Sequence, residues 1–267
     1  MMQMDLFEQT YTWPLEESGP ILVIGIGGGS DILSAYLVSQ LVQAQQQETI
    51  WYGNTKRRGQ ELIHVSELIA NLPKQTETLS SEKLRKAHNT THIDQLVPTA
   101  DNGSPYIFLL PDYSYKEQLA EEIKALGVKK LVAVDTGGDA IRWFDPKYRR
   151  RTGRDVQMLD VLTETGLPTQ LVVVGLGSDG EYPQQEFMKQ MKHPFRGGQY
   201  KGAFSLLPHL DIFENLAGDL PPSRTPKLIL KAAELYQKTP DGEMYIPRGC
   251  KPMVPLSWML HGFVFQL

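Results

Sequence analysis

The chain has 267 residues, 41% of them hydrophobic and 22% charged, an ordinary globular composition. A formal net charge of −4 and a pI near 5.9 leave no electrostatic footprint for nucleic acid. One cysteine, Cys250, excludes an intrachain disulfide, and no apolar stretch approaches the ~20 residues that span a bilayer.

The N-terminal stretch MMQMDLFEQTYTWPLEESG has acids and no apolar run, so it reads as neither a signal nor a transit peptide. Residues Pro20 to Ile26 form a continuous apolar run, the pattern of a strand buried on both faces. Gly27-Gly28-Gly29-Ser30-Asp31 follows as a turn, and a helix starts at Ile32. Thr49 to Gly53 reads as a second strand. Helical patterns follow at VSELIANL and at SSEKLRKAHN, then a short strand at Ile93 to Pro98. Tyr106 to Leu110 is a strand. SYKEQLAEEIKALG is a helix with Ser114 as cap and Gly127 as stop.

Lys130 to Asp135 is the next buried strand. Asp155 to Thr165 is a helix with Asp155 as its N-cap, and Gln170 to Val174 is another strand. A helix covers Pro183 to Met191, and two more are expected over Gly202 to Asn215 and Pro226 to Lys238. The last residues, rich in Pro and aromatics, read as a strand-containing cap. The repeated strand–turn–helix order predicts an α/β fold: Rossmann-like, mostly parallel, with helices on both faces and a C-terminal helical cap. One domain over 1–267 is expected, its core at about 20–200 and its cap at about 201–267.

Three strands end alike: GIGGGSD (Gly25 to Asp31), DTGGD (Asp135 to Asp139) and GLGSDGE (Gly175 to Glu181). In open α/β sheets, ligands bind at the carboxyl edge where such ends meet. Glycine there lets backbone approach a ligand, and the following helix aims N–H groups at an anion. Each acid singly is explained as a turn former or cap; three glycine-plus-acid turns in one chain favour a shared site. The ligand-binding candidates are Gly27, Gly28, Gly29, Ser30, Asp31, Asp135, Gly137, Gly138, Arg154, Asp155, Gly177 and Ser178. Asp139, Asp179 and Glu181 are the candidates for acid–base work. Oxygen-only ligands suit Mg²⁺ or Mn²⁺, with Asp31, Asp139 and Asp179 as candidate metal ligands, while ligand hydroxyls satisfy the same acids. Arg154 suits a phosphate or carboxylate. The basic cluster Tyr148-Arg149-Arg150-Arg151 reads equally as a solvated loop or an anion contact.

These motifs, with GRDxxML (Gly153 to Leu159), resemble those of the conserved uncharacterised family labelled domain of unknown function 1152, over about Ile21 to Glu181. The resemblance implies shared positions at the three turns, Arg154 and Asp155, and no particular reaction.

The leading functional reading is an enzyme acting on a nucleotide, nucleoside or phosphorylated metabolite. A second is an NADP-dependent oxidoreductase: Gly25 to Ser30 approximates a dinucleotide fingerprint with Ser30 in place of its last glycine. Asn54, Lys56, Arg57 and Arg58, read as following the second strand, would take the 2′-phosphate. A third reading is a non-catalytic sensor. Cys250, between Gly249 and Lys251, carries no nucleophile motif. The expected partner is a small molecule; Trp258, Met259, Leu260, Phe263, Val264 and Phe265 need covering by the sheet or by a second copy of the chain, so a homo-oligomer is the alternative to intrachain packing. No nucleic acid or membrane partner is expected, and the expected location is the cytoplasm.

Overall fold

Buried apolar strands alternating with amphipathic helices can satisfy every backbone group only as a sheet with helices packed on it. The computed structural model describes residues 19–45, 48–57, 93, 96–98, 100–102, 104–110, 116–147, 153–218 and 220–267. Hydrogen bonding orders its strands β3-β2-β1-β4-β5-β9-β6, and β7 pairs with β8 in a separate two-stranded sheet. The fold is thus α/β with a mostly parallel central sheet. By chain contacts the described residues divide into two compact units: one of those within 14–133 and 152–169, the other of those within 134–151 and 170–267.

The first unit holds β1 (Ile21–Gly25), β2 (Ile50–Arg57) and β3 (Tyr106–Leu110), with β2 parallel to both neighbours. All five residues of β1 are buried. Helix α1 (Asp31–Gln45) follows the first turn and packs on β1 and β2, with Ile32, Ala35, Leu37 and Val42 among its buried residues. Helix α2 (Lys116–Ala125) packs on α3 (Arg154–Glu164), and Lys116 reaches Glu164 at 3.2 Å. Gly127, with φ 74°, stops α2, and Gly166, with φ 69°, stops α3; both conformations suit glycine.

The chain passes between the units along β4 (Lys130–Thr136) and again at the start of β5 (Thr169–Val174). In the second unit a short 3-10 helix over Asp139–Phe144 follows β4, and α4 (Gln184–Arg196) packs on it. Strand β6 (Tyr200–Ser205) is followed by a 3-10 turn, Leu207–His209, and by helices α5 (Leu210–Leu216) and α6 (Thr225–Tyr236). The hairpin β7 (Glu243–Tyr245) and β8 (Met253–Pro255) leads through α7 (Leu256–Met259) to β9 (His261–Gln266). β9 lies between β5 and β6, antiparallel to both.

Several expectations need correction. The helix expected from Gly202 is a strand at its start: β6 pairs with β9 through Ser205, and the helix begins only at Leu210. Burial of the cross-strand partners Ala203 and Phe263 outweighs local helical propensity. The C-terminal part, read as a cap on the sheet, supplies two of its strands, because a run as apolar as Phe263-Val264-Phe265 needs two covered faces. Around Ile93 to Pro98 the described residues form a turn, closed by Leu96 N–H on Ile93 O at 3.0 Å, and Pro98 has no N–H to give a ladder. Helix α3 takes Gly153 as its N-cap, and Asp155 sits inside its first turn. Strand β2 runs to Arg57, so Asn54, Lys56 and Arg57 are strand residues. The two helical patterns between Asn54 and Pro105, the cap Ser114, Arg58 and the Tyr148–Arg151 cluster lie outside the described residues. No described helix is long and apolar enough to cross a membrane.

Candidate functional site

The first unit builds its site on the turn after β1. Gly28 and Gly29 take φ 76° and 58°, the left-handed region that glycine enters without steric cost. The turn closes when Gly27 N–H donates to Asp31 Oδ2 at 2.6 Å and Asp31 N–H donates to Gly28 O at 3.2 Å. Asp31 is therefore both the first residue of α1 and the brace of the turn before it. Among the described residues, the N–H groups of Gly28, Gly29 and Ser30 donate no hydrogen bond.

What surrounds the turn comes from far along the chain. A Cβ on Gly28 would strike Arg154 Nη1 and stand 2.8 Å from Thr55 O. A Cβ on Gly27 would strike Asp155 Oδ1 and stand 2.7 Å from Asp31 Oδ2. Two consecutive glycines thus meet two consecutive residues of α3. The carboxylates of Asp31 and Asp155 lie within 4.8 Å of each other, and both are buried. Arg154 is half-buried and makes no ion pair among the described residues; its buried Nε has no hydrogen-bond partner there. Thr55 is wholly buried and its Oγ1 has no partner either. By contrast, no described residue lies within 4 Å of a Cβ on Gly29, so that side of the turn is open among the described residues.

The second unit holds the other two turns, and they interlock. Gly177 N–H donates to Gly137 O at 2.7 Å. Gly137 has φ 121°, and a Cβ there would overlap the Asp179 carboxyl group. A Cβ on Gly138 would stand 3.2 Å from Phe187 Cε1, and one on Gly177 would stand 2.9 Å from Val254 Cγ1. These glycines make their close approaches to the chain itself. Ser178 Oγ donates back to Gly175 O, closing its own turn. Asp135, buried, accepts Ala140 N–H at 3.0 Å and so braces the start of the 3-10 helix.

Asp139, Asp179 and Glu181 bring carboxylate oxygens within 4.8 Å of one another, graded from half-buried through buried to exposed. Asp179 Oδ1 accepts Glu181 N–H at 2.9 Å. Beside them Tyr182 lies under the Arg142 guanidinium, 3.5 Å from its ring centre. Burial pushes the Tyr182 phenol up to about 12; Arg142 opposes the shift, and Asp139, Glu181 and Asp179 add to it. At neutral pH the hydroxyl is a donor beside three acceptors. So close a set of carboxylates calls for a proton, a cation or ligand donors. The exposed Cys250 thiol sits 3.1 Å from Glu181 O.

Sequence reasoning passed over Thr55, Arg142 and Tyr182. Thr55 lies in a polar stretch, NTKRR, that reads as loop; a β-branched residue just before the charges was the available signal. Tyr182 had a signal in its position, an aromatic residue directly after an acid-rich turn.

The family model described as Protein of unknown function (DUF1152) matches residues 75–239. The matched stretch contains the second and third turns with Arg154 and Asp155, and starts beyond the first turn, which the sequence resemblance had included. No curated protein matches the chain.

Proposed function

We propose, from the premise that the chain belongs to the DUF1152 family of proteins of unknown function, that it is an enzyme binding a nucleotide or another phosphorylated metabolite at the Gly27–Asp31 turn. The observation that carries this reading is the pairing of Gly28 with Arg154. Three successive N–H groups without acceptors, the start of a 15-residue helix and an unpaired guanidinium converge there. Backbone donors and the helix dipole favour negative charge, and guanidinium adds a bidentate donor. The buried Arg154 Nε has no partner among the described residues, and Arg154 Nη1 stands beside Gly28, where it can donate to a bound anion. Asp31 and Asp155 accept hydroxyl donors from the rest of the ligand.

In the second unit, Asp139, Asp179 and Glu181 are assigned acid–base work, alone or around Mg²⁺ or Mn²⁺. Their spacing and their all-oxygen donor set support that role.

Thermal melts against nucleotides, sugar phosphates and NADPH, each with and without Mg²⁺ or Mn²⁺, test the reading. A ligand at ~100 times its Kd adds about 2.7 kcal/mol, or roughly 5–10 °C at ~2–4 °C per kcal/mol. The shift should vanish in Arg154→Ala. A response to NADPH alone favours the nicotinamide alternative. Binding without turnover of any ligand favours a sensor.

A further inference from the structure

We propose that the first glycine turn selects a single phosphoryl group on a hydroxyl-bearing body, as in a sugar phosphate or nucleoside monophosphate, and rejects pyrophosphate and nucleoside polyphosphates. This rests on the reading of that turn as an anion site and names its ligand class.

The selection comes from the two sides of one short turn. On the Gly28 side stand the Arg154 guanidinium and the N–H groups of Gly28, Gly29 and Ser30, which donate no hydrogen bond among the described residues. On the Gly27 side stand Asp31 and Asp155, buried, with oxygens within 4.8 Å of each other. Neighbouring Cα atoms are about 3.8 Å apart, so the attractive and repulsive sides are one peptide unit from each other. The backbone donors and helix start can offset a single phosphoryl group. Every further phosphoryl adds charge well inside a Debye length of two buried carboxylates, whichever way the chain of phosphates points. A ribose or hexose hydroxyl has the opposite character: it donates to a carboxylate and satisfies its oxygens. Asp31 is fixed in this role because its Oδ2 also holds Gly27 N–H. Asp155 is the specificity-determining partner, since its carboxylate closes on Gly27 from another element.

Calorimetric titration of the whole chain in EDTA, with ribose 5-phosphate, AMP, pyrophosphate and ATP as probes, tests this. The expected result is at least tenfold tighter binding of the two monoesters than of pyrophosphate or ATP. Asp155→Asn should shrink that gap by admitting pyrophosphate, and 0.5 M salt should shrink it in the unaltered chain, which needs no variant to fold. Pyrophosphate or ATP binding as tightly as the monoesters overturns the selection and leaves the anion site standing. Failure of every probe to bind, or binding indifferent to Arg154→Ala, overturns the anion site and the selection with it.

Discussion

The turn after β1 and the turns after β4 and β5 are written in the same residues and used in opposite ways. Gly28 and Gly29 hold a turn in which the N–H groups of Gly28, Gly29 and Ser30 are unengaged among the described residues, and a Cβ on Gly29 would meet none of those residues within 4 Å. Gly137, Gly138 and Gly177 are spent on packing: they admit Asp179, Phe187 and Val254 to contact distance. Glycine beside an acid therefore marks close approach, and what approaches is set by what the fold brings there. The first turn reads as a place for a ligand. The other two are a framework that holds Asp139, Asp179 and Glu181 together.

The largest effect that would break this contrast is in paired glycine substitutions. Gly177→Ala combines a φ of 82° with a Cβ 2.9 Å from Val254, and should destabilise by about 2–5 kcal/mol in urea melts. Gly29→Ala carries only the conformational cost and should lose about 1–2 kcal/mol. Equal losses would remove the distinction between a packed and an open turn.

Next in size is Arg154→Ala. It should weaken phosphate-ligand binding by about 1.5–3 kcal/mol, roughly 10- to 150-fold, with melting temperature unchanged without ligand. A destabilised protein with intact affinity would make Arg154 a structural residue.

Asp179→Asn keeps an oxygen acceptor for Glu181 N–H, so stability should change by less than about 1 kcal/mol. Turnover, or Mn²⁺ binding measured by electron paramagnetic resonance, should be lost. Retention of both would confine the three carboxylates to a structural role.

The smallest effect concerns His261 on β9. Burial holds its imidazole below its ordinary 6.5, and the hydrogen bond to Ser257 O opposes this only in part. The unfolded chain then takes up this proton at higher pH than the folded one. The contribution to stability is full above pH 6.5 and is lost as pH falls through 6.5 towards the depressed value. His261→Asn should flatten that part of the melting-temperature profile between pH 7.5 and 5.5. An unchanged profile would place the acid sensitivity elsewhere.

Periodicity alone was enough for the strands at Ile21, Tyr106, Lys130 and Gln170 and for the helices at α2 and α6, because each is decided by which of its own faces must be buried. The three polar turns, Arg154 and Asp155 were legible for a related reason. A glycine beside an acid at a strand end is a local choice of backbone conformation and charge. The fate of Tyr200–Ser205 and His261–Gln266 was not local. Tyr200–Ser205 becomes a sheet strand by pairing with His261–Gln266 across about sixty residues, and His261–Gln266 by pairing with both it and β5. The close approach of Arg154 to Gly28, the burial of Thr55 and the gathering of Asp139, Asp179 and Glu181 likewise exist only once distant strand ends are adjacent. Short-range sterics and hydrophobic period are written in the sequence. Which glycine faces a guanidinium and which a valine is decided by packing, where every contact depends on all the others.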